Sequence, residues 1–210
     1  MRALAPALAI LAAASPAAAN ELAPPFGHPA TEPGQTVETQ ILGDFNGDGH
    51  GDLAYILRGE GQRFLRVVTS LAGEFDLDAN PPQELALDPY PLAEGTLRLK
   101  RNVLLLEDLT GGTTAVSSTH RFRWDGKLGA MRLIGLDATL YSRTFAHDGR
   151  EASWNLLTGD LVTRTLRLNK GPGDQAYDTV GKRKRKKASP PLKLENSPSG
   201  DDLLGWPGAK

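Results

Sequence analysis

Between two apolar stretches the chain reads Gly43-Asp44-Phe45-Asn46-Gly47-Asp48-Gly49-His50-Gly51-Asp52-Leu53. Side-chain oxygens fall at Asp44, Asn46, Asp48 and Asp52, which are relative positions 1, 3, 5 and 9 of a loop. Alternate residues at the start of a tight loop turn toward one point, and Gly47, Gly49 and Gly51 permit the left-handed backbone and close approach that such a wrap requires. The backbone carbonyl of His50, at relative position 7, completes a shell of hard oxygen donors, and donors of that type and number suit Ca2+. The expected metal residues are therefore Asp44, Asn46, Asp48, His50 through its carbonyl, and Asp52, with Ca2+ as the cofactor. An EF-hand is excluded. Its twelfth position carries a bidentate Glu, where this chain has Tyr55, and the residues that follow, Leu53 to Leu57, are strand-like rather than helical.

Little else in the chain has catalytic chemistry. Without cysteine there is no thiol nucleophile, disulfide framework or cysteine metal site. His28, His50, His120 and His147 lack any zinc-binding spacing and read as exposed or loop residues. Glu107 and Asp108 are adjacent on a strand and so point to opposite faces. They make a poor glycosidase pair, whose carboxyls normally come from separate elements about 5 to 9.5 Å apart. The hydroxyl-rich stretches Thr110 to Thr113 and Ser117 to Thr119 contain no Gly-x-Ser-x-Gly elbow, and no phosphate-binding glycine loop occurs. Phe122, Trp124, Tyr141 and Trp154 read as core residues before they read as a sugar platform. The expectation is a calcium-binding, non-enzymatic binding or interaction module whose ligand is an unknown protein or glycan. The alternative is a secreted hydrolase acting on glycan or peptide, with the calcium structural.

The elements that must hold this loop are strands. Val37, Thr39 and Ile41 alternate with polar residues before the loop, and Leu53 to Leu57 is an apolar run of strand length after it. Phe64 to Val68 follows a glycine turn, and Lys100-Arg101-Asn102 separates two apolar strands as a hairpin tip. Val116 to Trp124, the Asp125-Gly126 turn and Met131 to Ile134 form a further hairpin, and Thr158-Gly159-Asp160 leads into the alternating Leu161 to Leu168. Asp76 to Pro91, with four prolines, reads as a long loop or crossover. Turn signals recur about every ten residues and no stretch sustains a helical period. The expected fold is all-β: an antiparallel meander sheet or a small sandwich or barrel, partly propeller-like at most, with disordered ends.

The loop residues carry a resemblance to a known family. Asp44, Asn46, Asp48, Gly49 and Asp52 match, position by position, the calcium loop of the FG-GAP/VCBS-type repeat found in integrin-like propellers. The resemblance spans about residues 36 to 60 and implies one structural Ca2+ in a strand–loop–strand unit, with Asp52 as a direct ligand. A closed propeller needs about four to eight blades, and only one complete loop is present. Gly73 to Asp78 has acidic alternation but lacks the terminal Gly-x-x-Asp. Ligand binding of the integrin kind is therefore not implied.

The ends read differently from the middle. Met1-Arg2, an apolar stretch to Ala14, and Ser15 to Ala19 ending in small residues have the form of a secretory signal peptide, residues 1–19, cleaved before Asn20. A secreted or periplasmic location follows, with no transmembrane segment in the mature chain. Residues 20–35 read as an unstructured lead-in and 36–169 as the all-β domain. Residues 170–210 read as a disordered basic tail carrying the run Lys182-Arg183-Lys184-Arg185-Lys186-Lys187. From Lys182 to Lys210 there are eight Lys or Arg against three Asp or Glu, so the whole-chain charge of −1 conceals an acidic body. Six consecutive cations point to an anionic surface as a partner.

Overall fold

In the computed structural model of the chain, the described residues are 28–72, 77–172 and 175–205. The signal-peptide reading of residues 1–19 and the first half of the lead-in, residues 20–27, lie outside them. More than half of the described residues are in strands, and helix is confined to short segments near the end of the chain. A four-stranded antiparallel sheet, in the order β1-β2-β3-β6, comprises β1 (Thr36–Gly43), β2 (Asp52–Gly59), β3 (Gln62–Val68) and β6 (Gln83–Ala86). A small ribbon pairs β4 (Ser70–Ala72) with β5 (Leu77–Ala79). The remaining seven strands form one sheet whose spatial order follows the chain without a crossover. They are β7 (Thr96–Lys100), β8 (Val103–Gly111), β9 (Thr114–Asp125), β10 (Ala130–Ser142), β11 (Gly149–Asn155), β12 (Asp160–Leu168) and β13 (Tyr177–Lys186). The meander follows in large part from sequence: the β7–β8, β8–β9, β9–β10 and β11–β12 connections are short Gly- or Asn-containing turns, and such turns join antiparallel neighbours. At the β7–β8 tip, Arg101 and Asn102 both take left-handed backbone.

The two sheets share one apolar interior. Ala54, Ile56, Leu65 and Val67 from the small sheet pack in one cluster with Leu104, Leu106, Phe122, Leu133 and Trp154 from the large one. β2 is buried on both faces: its alternate residues Leu53, Tyr55 and Leu57 form a second cluster with Val37 and Val68. That is why Leu53–Leu57 is an unbroken apolar run rather than an alternating one.

A charged bolt joins the sheets through this interior. Arg63 on β3 is 1% exposed. Its guanidinium donates to both carboxylate oxygens of Glu38 at 2.7 and 2.8 Å and to both of Asp108, on β8, at 3.0 Å. Glu38 reaches it because β1 carries a bulge there: the register passes from Val37↔Leu57 directly to Thr39↔Ile56. A bulge re-aims the side chain of its extra residue. Gly95 closes the arrangement by donating its amide to Glu38. A Cβ at Gly95 would lie 2.7 Å from Ile56 and 2.8 Å from the guanidinium, so only glycine fits.

Two sequence expectations are corrected. Asp76 to Pro91 is not wholly loop, since β5 and β6 lie within it and β6 pairs with β3. The basic stretch of 170–210 is not an unstructured tail. Tyr177–Lys186 pairs along β12 from Leu168↔Tyr177 to Asp160↔Lys186. Beyond it Leu194 is fully buried, and the short helix α1 (Gly200–Leu204) lies against β9 and β10. Edge strands tolerate, and often carry, cationic residues.

Candidate functional site

β1 ends at Gly43 and β2 begins at Asp52, its register partner, so the acidic loop is the connection of a hairpin. Asp52 is fully buried. Its Oδ2 accepts from the amides of Phe45 at 2.6 Å and Asn46 at 3.1 Å, and its Oδ1 from the Ser70 amide at 2.7 Å and Oγ at 2.9 Å. Phe45, 1% exposed, anchors the same turn in the core. Three backbone amides thus donate to the Asp52 carboxylate, with the Ser70 hydroxyl against it. The sequence expects Asp52 as a direct ligand; its hydrogen bonds clamp the loop to the sheet and to β4.

The other acidic side chains organise the exposed turn. Asp44 accepts from the amides of Gly47 at 2.6 Å, Asp48 at 3.2 Å and Gly49 at 3.0 Å. Gly47 and Gly49 take φ of 82° and 85°, the left-handed backbone expected of them, whereas Gly51 is buried without it. Asp48 accepts from the His50 amide at 2.8 Å and from the Asn46 side-chain amide at 2.9 Å. The Ser70 Oγ lies 3.0 Å from an Asp48 oxygen and 2.9 Å from an Asp52 oxygen. A hydroxyl has one proton and can donate to only one of two carboxylates. One of these oxygen–oxygen approaches is therefore uncompensated.

The two carboxylates respond differently. Burial pushes the Asp52 carboxyl above its ordinary range, and the hydrogen bonds from Ser70, Phe45 and Asn46 do not cancel it. Burial also acts upward on Asp48, but bonds from the His50 amide, Asn46 and Ser70 outweigh it and hold Asp48 below that range. The structure brings Asp48 and Asp52 together through Ser70, with Asn46 donating to the Ser70 carbonyl at 3.1 Å. Asp44 faces the loop amides instead. Among the described residues no three acidic or histidine side chains gather closely enough to hold a metal. What the loop offers is hard oxygen donors, at Asp44, Asn46 and Asp48. Ser70 has no sequence signal, being 18 residues from Asp52 and reaching it only through the β3–β4 path.

The remaining candidates resolve into structural roles, and one histidine is corrected. Asp108 turns inward to Arg63, and Glu107 turns outward to Arg98 at 3.3 Å, so the adjacent carboxyls face apart as strand geometry requires. His120 is not an exposed or loop residue. It is 4% exposed on β9, and its Nε2 lies 2.9 Å from the Pro198 carbonyl, which can only accept, so that nitrogen carries the proton. Its Nδ1 has no partner among the described residues, and burial holds its pKa below the ordinary value. It borders a cavity of about 70 Å³ with Asp88, Asp108 and Asp201, but Asp108 is committed to Arg63. Phe122 and Trp154 are buried, as expected of core aromatics.

The basic run is sorted by strand geometry. Lys182, Lys184 and Lys186 share a face of β13 with their partners Arg164, Val162 and Asp160. There Lys184 and Lys186 both meet Asp160, at 3.3 and 2.9 Å, and hold its carboxyl down at about 2. Arg183 and Arg185 take the opposite face, opposite Thr163 and Leu161. Lys187 sits over the Trp154 ring at 4.7 Å. Among the described residues no helix is long and apolar enough to cross a membrane. Comparison with known proteins gave no matching family model, no matching curated protein and no matching solved structure.

Proposed function

We propose that the chain is an exported, calcium-binding all-β protein that binds a partner rather than catalysing a reaction. The observation that carries the calcium reading is the Ser70 hydroxyl shared by Asp48 and Asp52. Two carboxylates that close to one hydroxyl repel each other, and a bound cation relieves that repulsion. Asp44, Asn46, Asp48 and the His50 carbonyl would hold the ion, in keeping with the FG-GAP/VCBS-type resemblance, while Asp52 keeps the loop in place. All are hard oxygen donors. Bound there, Ca2+ would supply a fixed positive charge that rigidifies the β1–β2 hairpin. The non-enzymatic reading is supported by the commitment of the buried ionisable groups: Glu38 and Asp108 to Arg63, and the His120 Nε2 to a backbone carbonyl.

Thermal melting of the mature protein in excess Ca2+ and in chelator tests the metal reading. A ligand at a hundredfold over its dissociation constant adds about 2.7 kcal/mol of stability. The melting temperature should rise with Ca2+, and Asp48→Ala should abolish the rise. His50→Ala should leave it intact, because only the carbonyl is used. Identical melts with and without Ca2+ would remove the proposal. Mass spectrometry of the exported protein should find Asn20 as its first residue.

A further inference from the structure

The inner face of the large sheet changes character along its width, and three cross-strand rows show it. One runs Leu106, His120, Leu136, Trp154, Leu161 and ends at Arg185. The next runs from Asp108 through Ser118, Ala138, Ala152 and Thr163 to Arg183. The third passes from Val116 and Leu140 to Arg150 and Thr165. Side chains opposite each other in antiparallel strands share a face. The first row stays core as far as Leu161, whereas along the second and third the face that is core at β8–β10 becomes cationic and hydroxylic toward β13.

That end of the face is a groove of about 530 Å³, bounded on one side by α1. Arg150, Arg183, Thr163 and Thr165 line it, with Leu203 and Leu204 of α1 as an apolar wall. The volume falls within the roughly 300 to 1,000 Å³ of small-ligand sites. The one acidic residue bordering it, Glu151, is engaged by Arg164 at 2.9 Å. Neither Arg150 nor Arg183 has an ion-pair or side-chain hydrogen-bond partner among the described residues.

The contrast with the other face of the same strand is informative. Lys184 and Lys186 share the one carboxylate of Asp160. Lysines on an edge strand suffice to discourage edge-to-edge pairing, so the arginines are not needed for that. Guanidinium is the group whose planar fork matches a carboxylate or sulfate bidentately. Arg150 and Arg183 stand two strands and two register positions apart, roughly 12 Å from strand spacing and rise, with threonine hydroxyls between them. That spacing suits a chain bearing repeated anionic groups and hydroxyls. A flat bilayer does not enter a groove walled on one side by α1.

We propose that the groove between β11–β13 and α1 binds a segment of anionic polysaccharide, its carboxylate or sulfate groups held by Arg150 and Arg183. This rests on the reading of the chain as a binding protein and not on calcium.

Isothermal titration of the mature protein with uronate and sulfated hexasaccharides, run in chelator so that failure of the calcium reading leaves it unaffected, tests the proposal. A neutral hexasaccharide and anionic phospholipid vesicles serve as comparisons. Two double variants remove equal charge from opposite faces. Arg150→Gln/Arg183→Gln should weaken binding about tenfold or more, while Lys184→Gln/Lys186→Gln should stay within about threefold. Arg150→Lys/Arg183→Lys should recover only part of the loss, since the charge returns without the fork. Circular dichroism confirms that each variant is folded. Equal loss in the first two variants, binding to vesicles but not to the hexasaccharides, or no binding of either anionic hexasaccharide would overturn the proposal.

Discussion

The small sheet and the far edge of the large sheet dispose of charge in opposite ways. At the β1–β2 loop one carboxylate turns inward: Asp52 is fully buried and held by three backbone amides. At β13, cations stay outside on both faces: Lys184 and Lys186 share Asp160 on one, and Arg183 and Arg185 have no ionic partner among the described residues on the other. Between them the Arg63 bolt buries both signs together. Buried charge here fixes architecture, because removing any member strands another. Exposed charge leaves architecture unaffected and is free to meet a ligand. The difference predicts where substitutions damage the fold and where they alter binding alone.

The largest effect is expected at the bolt. Arg63→Met leaves Glu38 and Asp108 buried without their cation, a loss of about 3–5 kcal/mol. Urea denaturation measures it. A loss below about 1 kcal/mol, the scale of a surface ion pair, would erase the distinction between buried and exposed charge. Next is Asp52→Ala, which leaves the Phe45 and Ser70 amides without their acceptor and should cost about 1–3 kcal/mol. The same change should release the loop, seen as faster amide exchange at Phe45 and Asn46.

Acid sharpens the comparison. The His120 pKa is lowered by burial, so the folded state resists a proton that the unfolded chain accepts near pH 6.5. Its contribution is intact above that pH and declines as pH falls below it. Glu38 adds a second decline. Burial would raise its carboxyl, but the hydrogen bonds from Arg63 and Gly95 and the Arg63 charge outweigh burial and lower it. Its contribution is present above its ordinary 4.5 and is lost as pH falls through the depressed folded value. Stability followed by urea titration from pH 8 to pH 3 should show both windows, and His120→Gln should flatten the upper one. The smallest effect belongs to the edge. Lys184→Gln/Lys186→Gln should leave the melting temperature unchanged within error, since those side chains are mostly exposed.

Strand alternation and turn chemistry made much of the fold legible. Leu53–Leu57, Phe64–Val68 and the tip at Arg101-Asn102 all sit where their patterns place them. Composition misled at Lys182–Lys187, where six cations read as solvated chain. Asp160 and the backbone of β12 supply partners that only appear once the meander is assembled. His120 was equally hidden, since a lone histidine on an alternating strand shows no face until the register is known. The acidic loop was visible through its Gly and Asp spacing, but the clamp role of Asp52 depends on Ser70, brought to it by the turn of a third strand. The Arg63–Asp108 pair spans 45 positions, and the bulge that turns Glu38 toward it leaves no mark in composition.

Titration of Ca2+ into chelator-treated mature protein by isothermal calorimetry tests the central claim most directly. One saturable site per chain is expected, lost in Asp48→Ala and retained in Lys184→Gln/Lys186→Gln. Absence of binding heat in the folded wild-type chain, or a site that survives Asp48→Ala unchanged, would contradict it.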